Sequence, residues 1–143
     1  MLTEFNKRLS DEELLALAKK ASEAAYCPYS DFSVGAALES DTGRVYLGAN
    51  IENAAYGVAL CAERVALAEG VMRGERKFKR IAVYGKKKDE TENEACYPCG
   101  VCRQALSEFC GSELTVITEK GGKIESHSFS SLLPYSFRKE NLK

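Results

Sequence analysis

The sequence predicts an α/β fold, a three-layer α/β/α sandwich around a mixed five-stranded sheet. Three observations lead there. Helical and strand patterns follow one another along the chain in the order helix, two strands, helix, strand, helix, strand, strand. The 143 residues, 45% of them hydrophobic, suffice for one globular domain over residues 1–143 with a sizeable core. Two cysteine-bearing stretches, Cys61-Ala62-Glu63-Arg64 and Pro98-Cys99-Gly100-Val101-Cys102-Arg103-Gln104, each open a helical pattern, so this architecture sets two helix N-termini side by side.

The first helix begins at a capping box. The Ser10 hydroxyl can accept from the Glu13 amide while the Glu13 side chain reaches back. Leu14, Leu17, Ala18, Ala21 and Ala25 then recur at helical spacing, and Pro28 is the expected stop. Phe32 to Leu38 reads as a strand with Val34, Ala36 and Leu38 on one face; Asp41-Thr42-Gly43 turns it, and Arg44 to Asn50 returns antiparallel. If the chain stays extended past Asn50, Asn50 and Glu52 share a face and Ile51 takes the other. The helix after Cys61 is apolar nearly all round through Val65, Ala66, Leu67, Ala68, Val71 and Met72, as a central buried helix would be, and Gly74 ends it.

Phe78 to Tyr84 reads as an interior strand covered on both faces. The Lys86-Lys87-Lys88 run is cancelled by Asp89, Glu90, Glu92 and Glu94 and reads as a solvated loop. From Cys99 a helix should run to about Cys110, with Val101, Ala105, Leu106 and Phe109 inward and Gly111 as its stop. Leu114 to Thr118 is the next strand, Gly121-Gly122 the turn, and Lys123 to Phe129 an edge strand carrying His127, an ordinary surface residue on this reading. The segment Leu132-Leu133-Pro134-Tyr135-Ser136-Phe137 is apolar enough to pack on something, a neighbouring subunit included.

Twenty Lys and Arg against 21 Asp and Glu give a net charge of -1, which provides no positive field for nucleic acid or anionic membranes. The N-terminal stretch lacks the apolar core of a signal peptide, and no run approaches the ~18 apolar residues of a membrane helix. The expectation is a cytoplasmic protein acting on a small molecule. Six cysteines in a chain with so full an apolar complement suggest metal binding or burial more than disulfides.

Cys61, Cys99 and Cys102 are the expected ligands of one zinc ion. A Cys-x-x-Cys pair at a helix start converges on a point off the helix end, where the positive end of the dipole favours thiolate. Three thiolates leave the fourth tetrahedral position to a water, and Glu63 is the natural proton carrier for it. Three thiolates on a dication also leave a net negative charge that holds back ionisation of that water, and Arg64 sits where it can offset it. Because residues two apart point to different sides of a helix, Cys61 must lie at the helix start with Glu63 bending back over the end. The alternative is a closed structural site with Cys96 as a fourth ligand, which leaves Glu63, Asn50 and Glu52 without a purpose. Cys27 and Cys110 read as buried small apolar groups.

The segments Asn50-Ile51-Glu52-Asn53-Ala54-Ala55-Tyr56, Cys61-Ala62-Glu63-Arg64 and Pro98 to Gln104 together resemble the small homotetrameric zinc-dependent cytidine deaminases. The match extends to Tyr29 through Ala37 and to Leu132 through Phe137. The resemblance implies hydrolytic deamination of cytidine and 2′-deoxycytidine in pyrimidine salvage, with zinc on Cys61, Cys99 and Cys102 and Glu63 carrying the proton to the ring nitrogen and then to ammonia. It implies that Asn50 and Glu52 contact the ribose, that Phe32 packs on the pyrimidine, and that Ala62 and Tyr56 belong to the substrate site. Phe137 would cover the site of a neighbouring subunit, while Arg64 and Gln104 would stand behind the ligands. The chain departs from the family at Tyr97, where a small serine is usual, at Val101, where alanine or threonine is usual, and at Cys96. A nucleic-acid-editing deaminase would usually carry histidine at Cys61 and need a basic path for phosphates. A blasticidin-type deaminase shares the cysteine motifs, but the Asn50 and Glu52 pair and the Phe137 tail favour the nucleoside enzyme.

Overall fold

In the computed structural model, residues 2–3, 8–111 and 113–142 are described, Leu2 and Thr3 by their backbone alone; Met1 and residues 4–7 of the N-terminal stretch lie outside the described residues. The elements run β1 (Leu2–Thr3), α1 (Asp11–Ser22), β2 (Phe32–Ser40), β3 (Val45–Ala49), α2 (Ala62–Met72), β4 (Phe78–Lys87), α3 (Gly100–Ser107), β5 (Thr115–Lys120), β6 (Lys123–Ser128) and α4 (Phe129–Leu132). They form one sheet in the order β1-β3-β2-β4-β5-β6. The five expected strands make its body, and β1 adds two residues at the edge, Leu2 opposite Tyr46 and Thr3 opposite Val45. Among the described strands, β4 and β5 are the pair that runs parallel, with α3 in the crossover between them.

Alternation along β2 sorts the two cores. Ala36 and Leu38 face α2 and α3 in one apolar cluster with Tyr46, Ala66, Phe78, Ile81 and Leu106. Ala37 faces α1 in the other with Leu14, Leu15, Ala18, Ala82 and Ile117. Helices on both faces of the sheet make the three-layer sandwich. Gly48 on β3 is what lets α2 lie this close: a Cβ there would stand 2.3 Å from the Ala62 carbonyl oxygen and 2.6 Å from the Ala66 nitrogen.

The capping box is present in both directions, Ser10 Oγ accepting from the Glu13 amide at 3.1 Å and Glu13 Oε1 from the Ser10 amide at 3.0 Å. Helix α1 stops at Ser22, well before Pro28. Its last turn is wound down by three-residue hydrogen bonds from the amides of Glu23, Ala24 and Ala25, and the Ser22 hydroxyl donates to the Lys19 carbonyl. Ala25 therefore falls outside the helix. A buried arginine ties α1 to the sheet. Arg80 donates to both carboxylate oxygens of Glu39 at 2.6 and 2.8 Å, to Asp11 at 2.9 Å and to the Leu9 carbonyl at 2.7 Å. Arg80→Met would leave the buried Glu39 carboxylate unpaired, so a loss of about 3 kcal/mol is expected in urea unfolding; a loss below about 1 kcal/mol would show that the pair is replaceable.

Two burial expectations are corrected. Helix α2 is not covered all round: Ala62, Glu63, Ala66, Leu67 and Gly70 are buried, whereas Met72 is 83% exposed. As an outer-layer helix it offers only one stripe to the sheet, and Ala68 and Met72 on the other side are exposed. Val101 is 61% exposed instead of inward, because Cys102 and Leu106 set the buried face of α3 and Val101 lies about 100° away from Cys102. In the C-terminal segment Leu132 and Leu133 pack on the core, while Tyr135 and Phe137 stay exposed.

Candidate active site

The start of β2, the ends of β3 and β4 and the N-termini of α2 and α3 meet at one end of the sheet. A cleft of about 270 Å³ opens there, and its lining includes Val34, Asn50, Glu52, Cys61, Glu63 and Cys99, together with Ala62, Cys96 and Tyr97. Groups from four separate parts of the sequence converge on it.

Cys61 is the N-cap of α2 and Cys99 the N-cap of α3, and neither side chain caps its own helix by a hydrogen bond. Both thiols are thus free to face the gap between the helix ends. Cys102, one turn into α3, completes a cluster whose three sulfurs lie within 4.8 Å of one another. Among the described residues it is the one such group. The Cys61 and Cys99 sulfurs are 3.7 Å apart, against the ~3.8 Å edge of a tetrahedron with zinc–sulfur bonds of about 2.3 Å. Donor type and spacing both fit zinc. Cys96, the proposed fourth ligand of a closed site, lies outside this cluster; burial first, then the charges of Glu63, Cys61 and Cys99, pushes its thiol up to about 12.

The Cys61 thiol is held down to about 5, first by its hydrogen bond with Cys102 and, against burial, by Arg64 and Cys99. The same bond and burial push Cys102 the other way. Arg64 Nη2 lies 3.8 Å from the Cys61 sulfur and donates to the Ala59 carbonyl at 3.2 Å, while its buried Nε has no hydrogen-bond partner among the described residues. A guanidinium therefore stands behind the sulfurs, as the charge argument requires. Gln104 does not: it sits on the exposed side of α3 and donates from Nε2 to the Phe137 carbonyl at 2.9 Å.

Glu63 is the second residue of α2 and only 3% exposed. With Cys61 as N-cap, the geometric difficulty over the two-residue spacing disappears, since Cys61 is not yet on the helix cylinder. Burial pushes the Glu63 carboxyl up to about 7 against a backbone hydrogen bond, with the Cys61 sulfur raising it and Arg64 lowering it.

Asn50 and Glu52 do share a face, because Ile51 is held extended by bridges to Tyr26 and Leu60. Asn50 accepts from the Val34 amide and donates to the Phe32 carbonyl, both at 2.9 Å, which fixes its amide orientation. Glu52 accepts from the Ser30 hydroxyl and from the Tyr29 and Ser30 amides, bonds that hold its carboxylate below the usual range despite some burial. Phe32 reaches the same end of the sheet, where it and Cys96 close over Gly85; a Cβ at Gly85 would lie 2.8 Å from Phe32 Cε1 and 2.9 Å from the Cys96 sulfur. Tyr56 lies in an adjoining cleft of about 280 Å³ shared with Tyr29, Ser30 and Glu52. Phe137, 59% exposed, does not line the cleft of its own chain.

Three residues that sequence reasoning passed over hold this arrangement. Asn93, buried in the loop before Cys99, donates to the Glu119 carbonyl at 2.7 Å and accepts from the Gly121 amide, which pins the loop to the β5–β6 turn. Arg103 donates to the Pro98 and Leu132 carbonyls at 2.7 and 2.6 Å, and Arg138 to the Ser107 and Cys110 carbonyls at the end of α3. Asn93 and Arg103 bind backbone groups, and Arg138 adds to its two carbonyls only the hydroxyl of its near neighbour Ser136, so no distant side chain marks them in the sequence.

Residues 8–118 match the family described as the cytidine and deoxycytidylate deaminase zinc-binding region. The chain is 47% identical over 132 residues to a cytidine deaminase of Sporosarcina psychrophila, covering 92% of this chain and 93% of that protein. It is 42% identical over 130 residues to one of Halalkalibacterium halodurans, covering 90% and 95%. Among solved structures, the cytidine deaminase of Burkholderia pseudomallei superposes with a TM-score of 0.82 at 40% identity, covering 90% of this chain and all (100%) of that one. That of Mycobacterium tuberculosis superposes with 0.76 at 34% identity, covering 90% and 98%.

Proposed function

The chain belongs to the cytidine and deoxycytidylate deaminase family, and from that membership we propose that it hydrolyses cytidine and 2′-deoxycytidine to uridine and 2′-deoxyuridine with release of ammonia. One observation carries the reading. Cys61 and Cys99, two of the three clustered sulfurs, line a single cleft of about 270 Å³ with a buried carboxyl and the Asn50 and Glu52 pair, and the buried Cys102 sulfur lies behind them.

Cys61, Cys99 and Cys102 would hold zinc, which when bound would supply an activated water for attack on the amino-bearing ring carbon. Glu63 would carry a proton to the ring nitrogen and then one to the leaving ammonia. Its buried carboxyl suits both directions of transfer. Asn50, locked by its two backbone bonds, and Glu52, held by Ser30, position the sugar hydroxyls, so the base enters toward Glu63. Phe32 packs beside the base, and Ala62 and Tyr56 complete the surroundings. Arg64 offsets the charge of the sulfurs. Arg64→Gln is expected to weaken zinc retention roughly 10- to 100-fold in chelator titrations; an unchanged titration would remove Arg64 from this role.

The test of the reaction follows loss of the amino-pyrimidine ultraviolet absorbance with cytidine, deoxycytidine, cytosine and blasticidin S in separate assays. Turnover of the two nucleosides supports the proposal, and its absence in zinc-loaded protein overturns it.

The working form is a homotetramer in which Phe137 covers a neighbour's cleft. Exposed Ile51, Val58, Leu60, Met72 and Phe137 support it as apolar surface that this chain leaves bare. A monomer in sedimentation would overturn it. The cytoplasm is the expected compartment, consistent with six free cysteines and no helix among the described residues long and apolar enough to cross a membrane.

A further inference from the structure

The cleft has a third kind of wall. Its metal end is sulfur and carboxylate, and its sugar end is Asn50 and Glu52, but Val34, Cys96 and the ring of Tyr97 between them are apolar. On the deaminase reading, the polar edge of the pyrimidine, with its amino carbon and ring nitrogen, is taken by the zinc end and Glu63. The glycosidic nitrogen is directed to the sugar end. What remains of the base is the apolar edge formed by its fifth and sixth carbons, and the apolar wall is the surface that matches it.

The three residues of that wall are not held alike. Val34 belongs to the interior strand β2, and Cys96 is packed down on Gly85 with Phe32. Tyr97 is 39% exposed and stands on the loop, held from outside the cleft. Its hydroxyl donates to Glu125 Oε2 on β6 at 3.1 Å. Its ring meets His127 edge to face, with centroids 5.4 Å apart, and His127 Nε2 lies 3.2 Å from the same Glu125 oxygen. Two residues of the edge strand therefore fix where an aromatic ring borders the substrate cleft. A serine at this position could neither fill the wall nor reach Glu125.

We propose that Tyr97 is a specificity-determining residue, its ring limiting the bulk tolerated on the apolar edge of the pyrimidine, with Glu125 as the residue that positions it through the hydroxyl. The ring acts by occupying space, so removing it enlarges the cleft without touching the zinc ligands, Glu63 or the sugar contacts. Discrimination of a single methyl group by an apolar wall is typically worth ~10- to 200-fold.

The experiment compares kcat/KM for 5-methylcytidine and cytidine in the zinc-loaded enzyme, in Tyr97→Ser and in Glu125→Ala. Tyr97→Ser is expected to raise the ratio of 5-methylcytidine to cytidine at least about tenfold. Glu125→Ala, which frees the ring but leaves it in place, should move the ratio the same way by a smaller factor, about two- to threefold. A purely structural role for Glu125 would lower both values together and leave the ratio flat. If Tyr97→Ser loses its zinc, the decision falls to Glu125→Ala, whose substitution lies on β6 away from the ligands. An unchanged ratio with cytidine still turned over by the unmodified enzyme overturns this proposal alone. An unmodified enzyme inert toward cytidine overturns the deaminase reading, and the proposal with it.

Discussion

Glu63→Ala is expected to lower kcat for cytidine by at least ~10² to 10⁴, the range that general acid–base assistance usually supplies, while the protein keeps its zinc. The upper part of that range is the better expectation, because one carboxyl serves successive proton transfers. Its placement explains why nothing else can stand in. Glu63 is buried at the start of α2; of the other titratable groups lining the cleft, Cys61 and Cys99 belong to the sulfur cluster, Glu52 is held by Ser30 at the sugar end, the Tyr97 hydroxyl is engaged with Glu125, and burial pushes the Cys96 thiol up to about 12. Water that enters the space left by the alanine has no fixed orientation and no matched proton affinity. Glu63→Gln, which keeps the shape and a hydrogen-bonding end, should lose a comparable factor in kcat with KM little changed. Activity within tenfold of the unmodified enzyme would take Glu63 out of the mechanism.

Cys99→Ser is expected to abolish zinc binding and to remove at least about a thousandfold in rate, since a bound metal contributes several kcal/mol of charge stabilisation. It should also lower the melting temperature to that of the chelator-stripped unmodified protein, because metal affinity is folding free energy in a site built from two separate helices. The substitution isolates the metal unusually well. Cys99 is the N-cap of α3 and exposed, and serine is among the best N-cap residues, so the helix start itself should gain. Lost stability then reports the severed link between α2 and α3. A serine variant that still carries stoichiometric zinc would show that Cys99 is not a ligand.

Much of this architecture was legible because local chemistry and global packing agree. The Ser10 and Glu13 pair, the alternation of Val34, Ala36 and Leu38, and the Gly121-Gly122 turn each specify one local conformation, and each is present. The convergence of Cys61, Cys99 and Cys102 was readable from spacing plus two helix starts, and that of Asn50 and Glu52 from the period of an extended chain. The missed features share a physical cause. Asn93, Arg103 and Arg138 bind backbone carbonyls that any sequence presents, so composition carries no trace of the partner. The end of α1 at Ser22 depends on a hydroxyl folding back on its own helix, which leaves the apolar pattern running on past the true terminus. The apolar pattern of α2 suggests burial all round, whereas the helix buries one stripe against the sheet and leaves Met72 exposed. Val101 was misplaced because four apolar residues were assumed to share one face, whereas the buried sulfur of Cys102 sets the phase of α3.

The contact at Gly48 bears on how freely this protein can change. Where a strand and a helix are separated by ordinary side chains, small substitutions adjust their spacing by fractions of an ångström, and related proteins drift through such adjustments. Here a Cβ would meet the Ala62 oxygen at 2.3 Å, so the first added carbon must push the opening turn of α2 off β3. That turn carries Cys61, Ala62 and Glu63 as one rigid piece. Position 48 is therefore closed to gradual change: the next larger side chain after none is already too large, and its cost falls on Cys61 and Glu63 at the start of that helix.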